Sequence, residues 1–444
     1  MKQIKGKVFF EEDNFVEGVT ATLTIEGDKY ELEFVENNYR AKNYKLIHGE
    51  FLDLGYVTFI NCIHIGYTLG TVSVNKYKPY HFITEVKFNS REDIVASSLN
   101  VTMPLLKKIF RKSNLIGDLF FEKKLEYITP EKIKIYESQE CLIHINFYLS
   151  VNHNFFEEIS IKEYCSLEIE TVNVSIDIFE LLDIYKKIKL FFGFLGFFSK
   201  EEDTYWFKES NLNYDNQVEP IVMKFYSSNF NIENKGLTPH KTFNFEDIKN
   251  DLQNILSNWF KNENIQDSIV LVMEKYTFIK LSVETYFLNT CFAIETFHRK
   301  NKFNEVYEKA KFDFIKKGIR SKLETQEEID LFNDKLIYAN EPTFKSRLLS
   351  LKTEFGYIAN ESLDIDEYII KIVSTRNYLV HRGKKKNIFE GIHLYYAAVY
   401  LETLTKYCIM ETIGVNSEVL KNSFAGTSKY INELYDLNAS SKFI

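Results

Sequence analysis

The chain has 444 residues, of which 45% are hydrophobic, 16% aromatic and 27% charged, with a net charge of −8. At ~100–200 residues per domain this length implies two or three domains, and the composition excludes disorder, while only 6 Pro and 17 Gly exclude collagen-like or linker-rich architectures. The negative balance excludes a chain-wide basic coat for duplex nucleic acid but leaves room for a local basic patch.

Five cysteines, Cys62, Cys141, Cys165, Cys291 and Cys408, lie far apart and never form a Cys-x-x-Cys pair. This spacing excludes a zinc ribbon and suits free thiols in a reducing compartment. The start, Met1-Lys-Gln-Ile-Lys-Gly, has no apolar segment, so no signal peptide is expected. The longest apolar run, 190–198, is nine residues with two glycines, against the ~20 a membrane span needs. A soluble cytoplasmic protein without membrane contact is expected.

Period-2 patterning fills the first part of the chain. Thr20-Ala-Thr-Leu-Thr-Ile-Glu and Lys29-Tyr-Glu-Leu-Glu-Phe-Val alternate, and Glu26-Gly-Asp between them supplies a turn, so a hairpin is expected. β-branched and aromatic residues mark further strands at 56–63, 69–74, 82–88, 142–149 and 162–174. Ile178, Leu181, Leu182, Tyr185, Ile188, Phe192 and Leu195 follow helical spacing, which places one helix over about 176–198. Strands at 204–207 and 221–226 follow.

Periodicity is lost over 231–244, which contains Gly236 and Pro239, and the main boundary is placed there. Beyond it the period becomes 3.6. An apolar stripe runs from Ile248 to Phe260, and helices are expected at 276–299, 303–317, 327–338, 344–355, 364–381 and 389–413. Short breaks separate them, as in a bundle. The fold class is therefore α+β: a β-rich domain over 1–240, an all-α bundle over 241–415, and a weakly structured tail over 416–444.

The acidity is uneven. Residues 281–444 hold 23 Lys and Arg against 22 Asp and Glu, so the rest of the chain carries the negative excess. Residues 371–386 contain Lys371, Arg376, Arg382, Lys384, Lys385 and Lys386 and no acid. Such a run suits either RNA phosphates or a solvated helix end, where cations favour the C-terminal dipole.

No phosphate-binding Gly-x-x-x-x-Gly-Lys loop, zinc-protease His-Glu-x-x-His, Gly-x-Ser-x-Gly elbow or dinucleotide fingerprint is present. Cys62 with His64, and Cys141 with His144, are the near Cys/His pairs, and neither has an obvious third ligand. No metal and no cofactor are expected. What remains is Thr375-Arg-Asn-Tyr-Leu-Val-His-Arg-Gly383, an arginine followed after four residues by a histidine. The pair suits RNA cleavage. His381 can take or give a proton near neutral pH, as 2′-hydroxyl attack requires. Arg376 can bind two oxygens of the charged phosphorane-like transition state at once. Asn377 can orient ribose or phosphate. With eight arginines and nine histidines, chance alone yields about 0.5 such spacings, so the weight lies in the context.

Five residues advance ~7.5 Å and turn ~140° along a helix, so the two side chains do not stack. Either the helix ends near His381, which Gly383 would allow, or groups from two subunits converge. Bland alternatives stand beside this. His381 could cap the last carbonyls of the helix. Arg376 could pair with Asp364, Asp366, Glu367 or Glu295. Glu295 and His298 share a helix face and are candidates for a supporting role at the motif. His48 is read as structural.

In this context the stretch from Ser374 to Gly383 resembles the HEPN superfamily signature, Arg-x4–6-His with a polar residue after the arginine. It looks most like the Apea-type HEPN proteins of bacterial anti-phage defence. Phe287-Leu-Asn-Thr-Cys-Phe-Ala-Ile-Glu-Thr-Phe-His-Arg-Lys is similar to the first long helix of that type. Residues 18–25, Leu46-Ile-His-Gly-Glu50 and Val57-Thr-Phe-Ile-Asn-Cys62 resemble its β-rich amino-terminal domain. The resemblance implies that Arg376 and His381 are catalytic and that Asn377 assists. It also implies a homodimer whose two motifs line one cleft. Where some members carry a Tyr two residues after the His, Gly383 stands here. The expected function is an anti-phage, metal-independent endoribonuclease acting on RNA, with tRNA a candidate substrate, after a phage-derived trigger, and leaving 2′,3′-cyclic phosphate ends. Arg382, Lys384, Lys385 and Lys386 would bind the RNA. The alternative is a non-catalytic HEPN module for dimerisation or RNA binding.

Overall fold

The computed structural model describes residues 1–10, 18–27, 29–35, 42–68, 73–86, 88, 90–110, 115–118, 124–154, 158–197, 203–209, 221–227, 245–277, 281–302, 304–358 and 364–424. The chain divides into two compact units, the residues up to 233 apart from 193–196, and 193–196 with the residues from 234 onward. The expected boundary at 231–244, residues 69–72 of one expected strand, and the tail from 425 lie outside the described residues.

In the first unit twelve described strands share one sheet. They are β1 (Lys2–Phe9), β2 (Val19–Glu26), β3 (Lys29–Val35), β4 (Tyr44–Phe51), β5 (Gly55–Thr68), β6 (Val74–Thr84), β7 (Ser98–Thr102), β8 (Ile133–Glu137), β9 (Cys141–Asn154), β10 (Glu158–Thr171), β11 (Thr204–Glu209) and β12 (Ile221–Ser227). Their order is β8-β9-β10-β7-β11-β12-β6-β3-β2-β1-β4-β5, and β5 also pairs with β6. That last pairing closes β1 to β6 into a barrel, which removes the exposed edges of an open sheet. β2 and β3 form the expected hairpin, with Glu26 opposite Lys29.

Strand β6 joins the barrel to the rest of the sheet. Its start pairs with β3, Tyr77 opposite Leu32, and its end with β12, Thr84 opposite Lys224. Alternate residues Leu23, Leu32, Phe34, Phe59, Tyr77 and Phe82 fill the barrel. Phe51 closes it only because two neighbours lack side chains. A Cβ on Gly6 would lie 2.6 Å from the Phe51 ring and 2.4 Å from the Glu50 carbonyl oxygen, and one on Gly49 would lie 2.6 Å from the same ring. His48 is buried, with Nδ1 3.3 Å from Thr58 Oγ1. Two helices are described in this unit, α1 (Pro104–Ile109) and α2 (Ile178–Phe194). The expected stripe of α2 is wholly buried, and Tyr185 stacks edge-on against Tyr205 of β11.

The second unit is helical: α3 (Phe245–Ile248), α4 (Leu252–Lys261), α5 (Gln266–Thr277), α6 (Val283–Asn301), α7 (Lys309–Arg320), α8 (Gln326–Leu336), α9 (Phe344–Ser350), α10 (Lys352–Ile358), α11 (Ile365–His381) and α12 (Gly391–Thr412). Helix α12 is the centre. Fifteen of its 22 residues are buried, so it carries no one-sided apolar stripe, as befits a helix covered all round. Helix α6 runs along it, and α5, α10 and α11 pack around this pair.

Three expected helices differ in extent. The one placed at 276–299 starts at Val283, because Ser282 Oγ accepts the Thr285 N–H at 3.1 Å and caps the end. The one placed at 303–317 is displaced to α7, because the N–H groups of Val306 and Tyr307 bond to Asn340 at 2.7 and 2.9 Å instead of to helix carbonyls. The one placed at 344–355 divides at Leu351 into α9 and α10. All five cysteines are free thiols. No described helix is long and apolar enough to cross a membrane.

Candidate active site on helix α11

Helix α11 begins at Asp364, whose carboxylate accepts the Glu367 N–H at 3.1 Å, and ends at His381. The next residue, Arg382, takes the left-handed conformation at φ 51° and donates its N–H to the Tyr378 carbonyl at 2.8 Å. The chain thus turns one residue earlier than Gly383 suggested. A non-glycine residue there is strained by ~1–2 kcal/mol.

Arg376 lies half-buried on the inner side of α11. Its Nη2 donates to Glu295 Oε2 at 3.4 Å, its Nη1 donates to Asn377 Oδ1 at 3.2 Å, and its guanidinium lies 5.6 Å from the centre of the Phe344 ring. Each terminal nitrogen of a guanidinium carries two donors, so one on each remains. Nε is buried and has no acceptor among the described residues. Of the partners weighed for Arg376, Glu295 is the one found. Asp364 caps the helix, and Asp366 pairs with Lys352 at 2.6 Å.

Glu295 opens onto a charged network. Arg299 reaches it at 4.0 Å and also reaches Glu341 at 3.2 Å. Glu341 in turn meets Arg347, a guanidinium only 1% exposed, at 3.3 Å. Arg347 Nη2 donates to Asn304 Oδ1 at 2.7 Å, and its Nη1 donates to His298 Nδ1 at 3.1 Å. The other imidazole nitrogen faces Ser350 Oγ at 2.7 Å, and Ser350 donates to the Arg347 carbonyl at 2.7 Å. His298 therefore carries its proton on Nε2. Burial, with Arg347 and Lys302 beside it, lowers its pKa to about 4. It is a neutral brace for Arg347, not a group that titrates near pH 7. Burial likewise pushes the Cys291 thiol up, one turn before Glu295 on α6.

His381 is exposed in the last turn of α11, and no described residue hydrogen-bonds its ring. Beyond it, Arg382, Lys384, Lys385 and Lys386 are all exposed. Arg382 lies 5.9 Å over the Tyr378 ring, and Lys385 pairs with Glu390. The far end of this basic loop is tied back to α11. Buried Thr375 donates to the Lys371 carbonyl at 2.7 Å and accepts the Phe389 N–H at 2.9 Å, while Phe389 packs 5.0 Å from Tyr368. Residue 375 thus anchors the loop directly beside Arg376.

Arg376, Asn377 and Glu295 are in direct contact, His298 stands further along the same network, and His381 with the four basic residues occupies the exposed end. Sequence reasoning passed over Arg347 and Glu341. The signal for Arg347 was its place on the stripe Phe344, Arg347, Leu348, Leu351, since a charge at an apolar position of a helix is buried only when paired. Among the described residues no group of three or more His, Cys, Asp or Glu side chains is placed to hold a metal ion.

Comparison with known families agrees with this layout. Residues 288–419, which run from α6 past α12, match the family described as Apea-like HEPN, so the helical unit is a HEPN domain. Residues 3–259 match ApeA N-terminal domain 1, more than half of the chain, and the protein belongs to the ApeA-type HEPN family. That second match extends through most of α4, which structurally lies in the helical unit. Membership points to anti-phage defence and a nuclease role, and HEPN domains commonly dimerise and bind RNA. No curated protein and no solved structure matches the chain.

Proposed function

We propose that the protein is a metal-independent endoribonuclease of anti-phage defence that works in the cytoplasm as a homodimer of its HEPN domains. The His381 imidazole takes the proton of an RNA 2′-hydroxyl. The 2′-oxygen bonds to the adjacent phosphorus as the bond to the 5′-oxygen breaks. The departing oxygen is protonated by water or by an imidazolium. The products are a 2′,3′-cyclic phosphate and a 5′-hydroxyl. The remaining donors of Arg376 neutralise the two non-bridging oxygens, where a fixed charge acts most strongly as charge develops. Asn377 holds Arg376 and the ribose, and Glu295 and His298 keep the guanidinium in place. Arg382, Lys384, Lys385 and Lys386 hold the flanking phosphates, and tRNA is a candidate substrate. The front unit acts as the regulator that a phage-derived trigger relieves.

The observation that carries this reading is the pairing on one helix of a half-buried, braced guanidinium with an exposed imidazole and a basic loop tied alongside. The test is to sequence 5′-hydroxyl RNA ends from cells expressing the wild type and His381→Ala, and to repeat cleavage in vitro with EDTA. New ends that vanish in the variant and persist in EDTA are expected. Cleavage that survives in both Arg376→Ala and His381→Ala, or that requires Mg²⁺, overturns the mechanism. One observation favours a second reading, a non-catalytic HEPN module: Arg376 is already engaged by Glu295 and Asn377. A binder would leave growth unaffected by expression, whereas a nuclease would slow it in a manner that depends on His381.

A further inference from the structure

Beyond the barrel, the sheet of the first unit has one apolar and one polar face. Strand pairing sets His144, Glu168, Asn100, Trp206 and Lys224 in a single row across β9, β10, β7, β11 and β12. The neighbouring row on the opposite face, Ile143, Ile169, Leu99, Phe207 and Met223, is wholly buried. Helix α2 lies on that apolar side, where Tyr185 meets Tyr205. An outer sheet face is ordinarily polar. A carboxylate only 5% exposed and a half-buried tryptophan with no ring partner are not ordinary on it.

These groups keep unused capacity. Glu168 Oε2 accepts from Lys132 Nζ at 2.8 Å and from Asn146 Nδ2 at 2.7 Å, but Oε1 has only Lys208, at 4.0 Å. Asn146 Oδ1 and His144 Nδ1 are buried and have no partner among the described residues. Buried polar atoms are rarely left so unless a ligand or water meets them. The Trp206 indole N–H and the Asn100 amide likewise make no hydrogen bond among the described residues. Lys224, directly opposite Trp206, pairs with no carboxylate among them, and its ammonium lies 5.1 Å over the Tyr226 ring. Lys208, two residues along β11, is 43% exposed. An open indole is thus flanked by two cations, with hydrogen-bonding groups one and two strands away, at about 5 and 10 Å. The indole offers a stacking face, the lysines call for an anion, and the free acceptors call for hydroxyl or N–H donors. A nucleoside phosphate supplies all three in one molecule. A neutral sugar would leave both lysines without a counter-charge, and inorganic phosphate would leave the indole unused.

We propose that this polar face of the first unit binds a nucleoside phosphate, its base stacked on Trp206, its ribose hydroxyls donating to Asn100 and Glu168 Oε1, and its phosphates held by Lys208 and Lys224. The site contains none of the α11 motif residues and stands whether or not the helical unit cleaves RNA. The test is titration of the full chain, carrying His381→Ala to spare the expression host, with ATP, GTP, adenosine and a short single-stranded RNA lacking terminal phosphates. The chain has two tryptophans, and Trp259 is buried in the helical unit, so quenching of indole fluorescence reports Trp206. Calorimetry gives the affinities independently. Saturable quenching by ATP or GTP is expected, with adenosine binding at least about tenfold more weakly for want of the charge contacts. Trp206→Ala should weaken nucleotide binding by about tenfold or more, the loss of one base stack, and Trp206→Phe should recover part of it. Lys224→Ala, at a side chain with no ion pair to lose, should weaken ATP by about threefold or more and leave adenosine unchanged, with circular dichroism as in the parent. No saturable binding of either nucleotide overturns the site, as does binding indifferent to both Trp206→Phe and Lys224→Ala. Adenosine binding as tightly as ATP overturns the role of the lysines. RNA that binds more tightly than either nucleotide, and loses that affinity in Trp206→Phe and Lys224→Ala, overturns the free nucleotide as the ligand.

Discussion

Glu295 on α6 and Glu402 on α12 are both carboxylates on long helices of one unit, and both meet cations. Their surroundings differ in completeness. Glu402 is buried and accepts from Lys406 at 2.8 Å, Lys275 at 3.5 Å, and the hydroxyls of Tyr276 and Tyr286. Burial pushes its carboxyl up, but Lys406 and Lys275 outweigh that and hold its pKa at about 2. Burial lowers Lys275, which lies 4.2 Å over the Tyr286 ring. Glu295 is 19% exposed, and its partner Arg376 is 22% exposed, held at a longer 3.4 Å and left with an unused Nε donor. A cluster with every polar group spoken for holds a fold together. A cluster that ends in a partly open cation, on the helix whose exposed end carries His381, has something left to offer a ligand.

Five predictions press on this contrast, beginning with the largest expected effect. On the ribonuclease reading, His381→Ala lowers RNA cleavage by ~10²–10⁴-fold and Arg376→Ala by a similar factor, with the unfolding midpoint in urea unchanged. Equal losses of stability would make the open cluster structural after all. Glu402→Gln leaves Lys275 and Lys406 facing each other in the interior and should cost about 3–5 kcal/mol of unfolding free energy. Glu295→Gln, at a partly solvated pair, should cost under about 1 kcal/mol while changing cleavage far more.

The fourth concerns pH dependence. The folded pKa of His298 is about 4, against an ordinary value of 6.5. As pH falls below 6.5 the unfolded chain takes up the proton first, so stability is complete above 6.5 and declines down to about pH 4. The full decline is about 3 kcal/mol. Thermal melts between pH 7 and 4 should show it, and His298→Gln should flatten the response of the helical unit. His81 in the first unit, also lowered to about 4 by burial, keeps its own share of acid sensitivity. A small gain is expected from Arg382→Gly. Relieving the left-handed residue should raise stability by about 1 kcal/mol, read from the same melts.

Much of this was legible in the sequence. Alternation in Thr20-Ala-Thr-Leu-Thr-Ile-Glu located β2, helical spacing from Ile178 to Phe192 located α2, and the spacing of Arg376 and His381 marked α11. Other features were not. The turn after α11 falls on Arg382 and not on Gly383, because the Tyr378 carbonyl takes the Arg382 N–H and the chain must bend there to return Phe389 to Thr375. Four acids were within reach of Arg376 on paper. Only packing of α6 against α11 decided that Glu295, 81 residues earlier, would hold it.

By itself the sequence determined the two periodicities, the change between them, and the spacing of Arg376 and His381 on one helix, since these depend on neighbours within a turn or a strand. The tertiary structure alone decided the closure of the barrel through β6, the burial of Arg347, and the difference between a sealed Glu402 and an open Glu295. Those outcomes depend on which distant groups share a desolvated space, and the strength of a charge pair follows that space more than the residues' names.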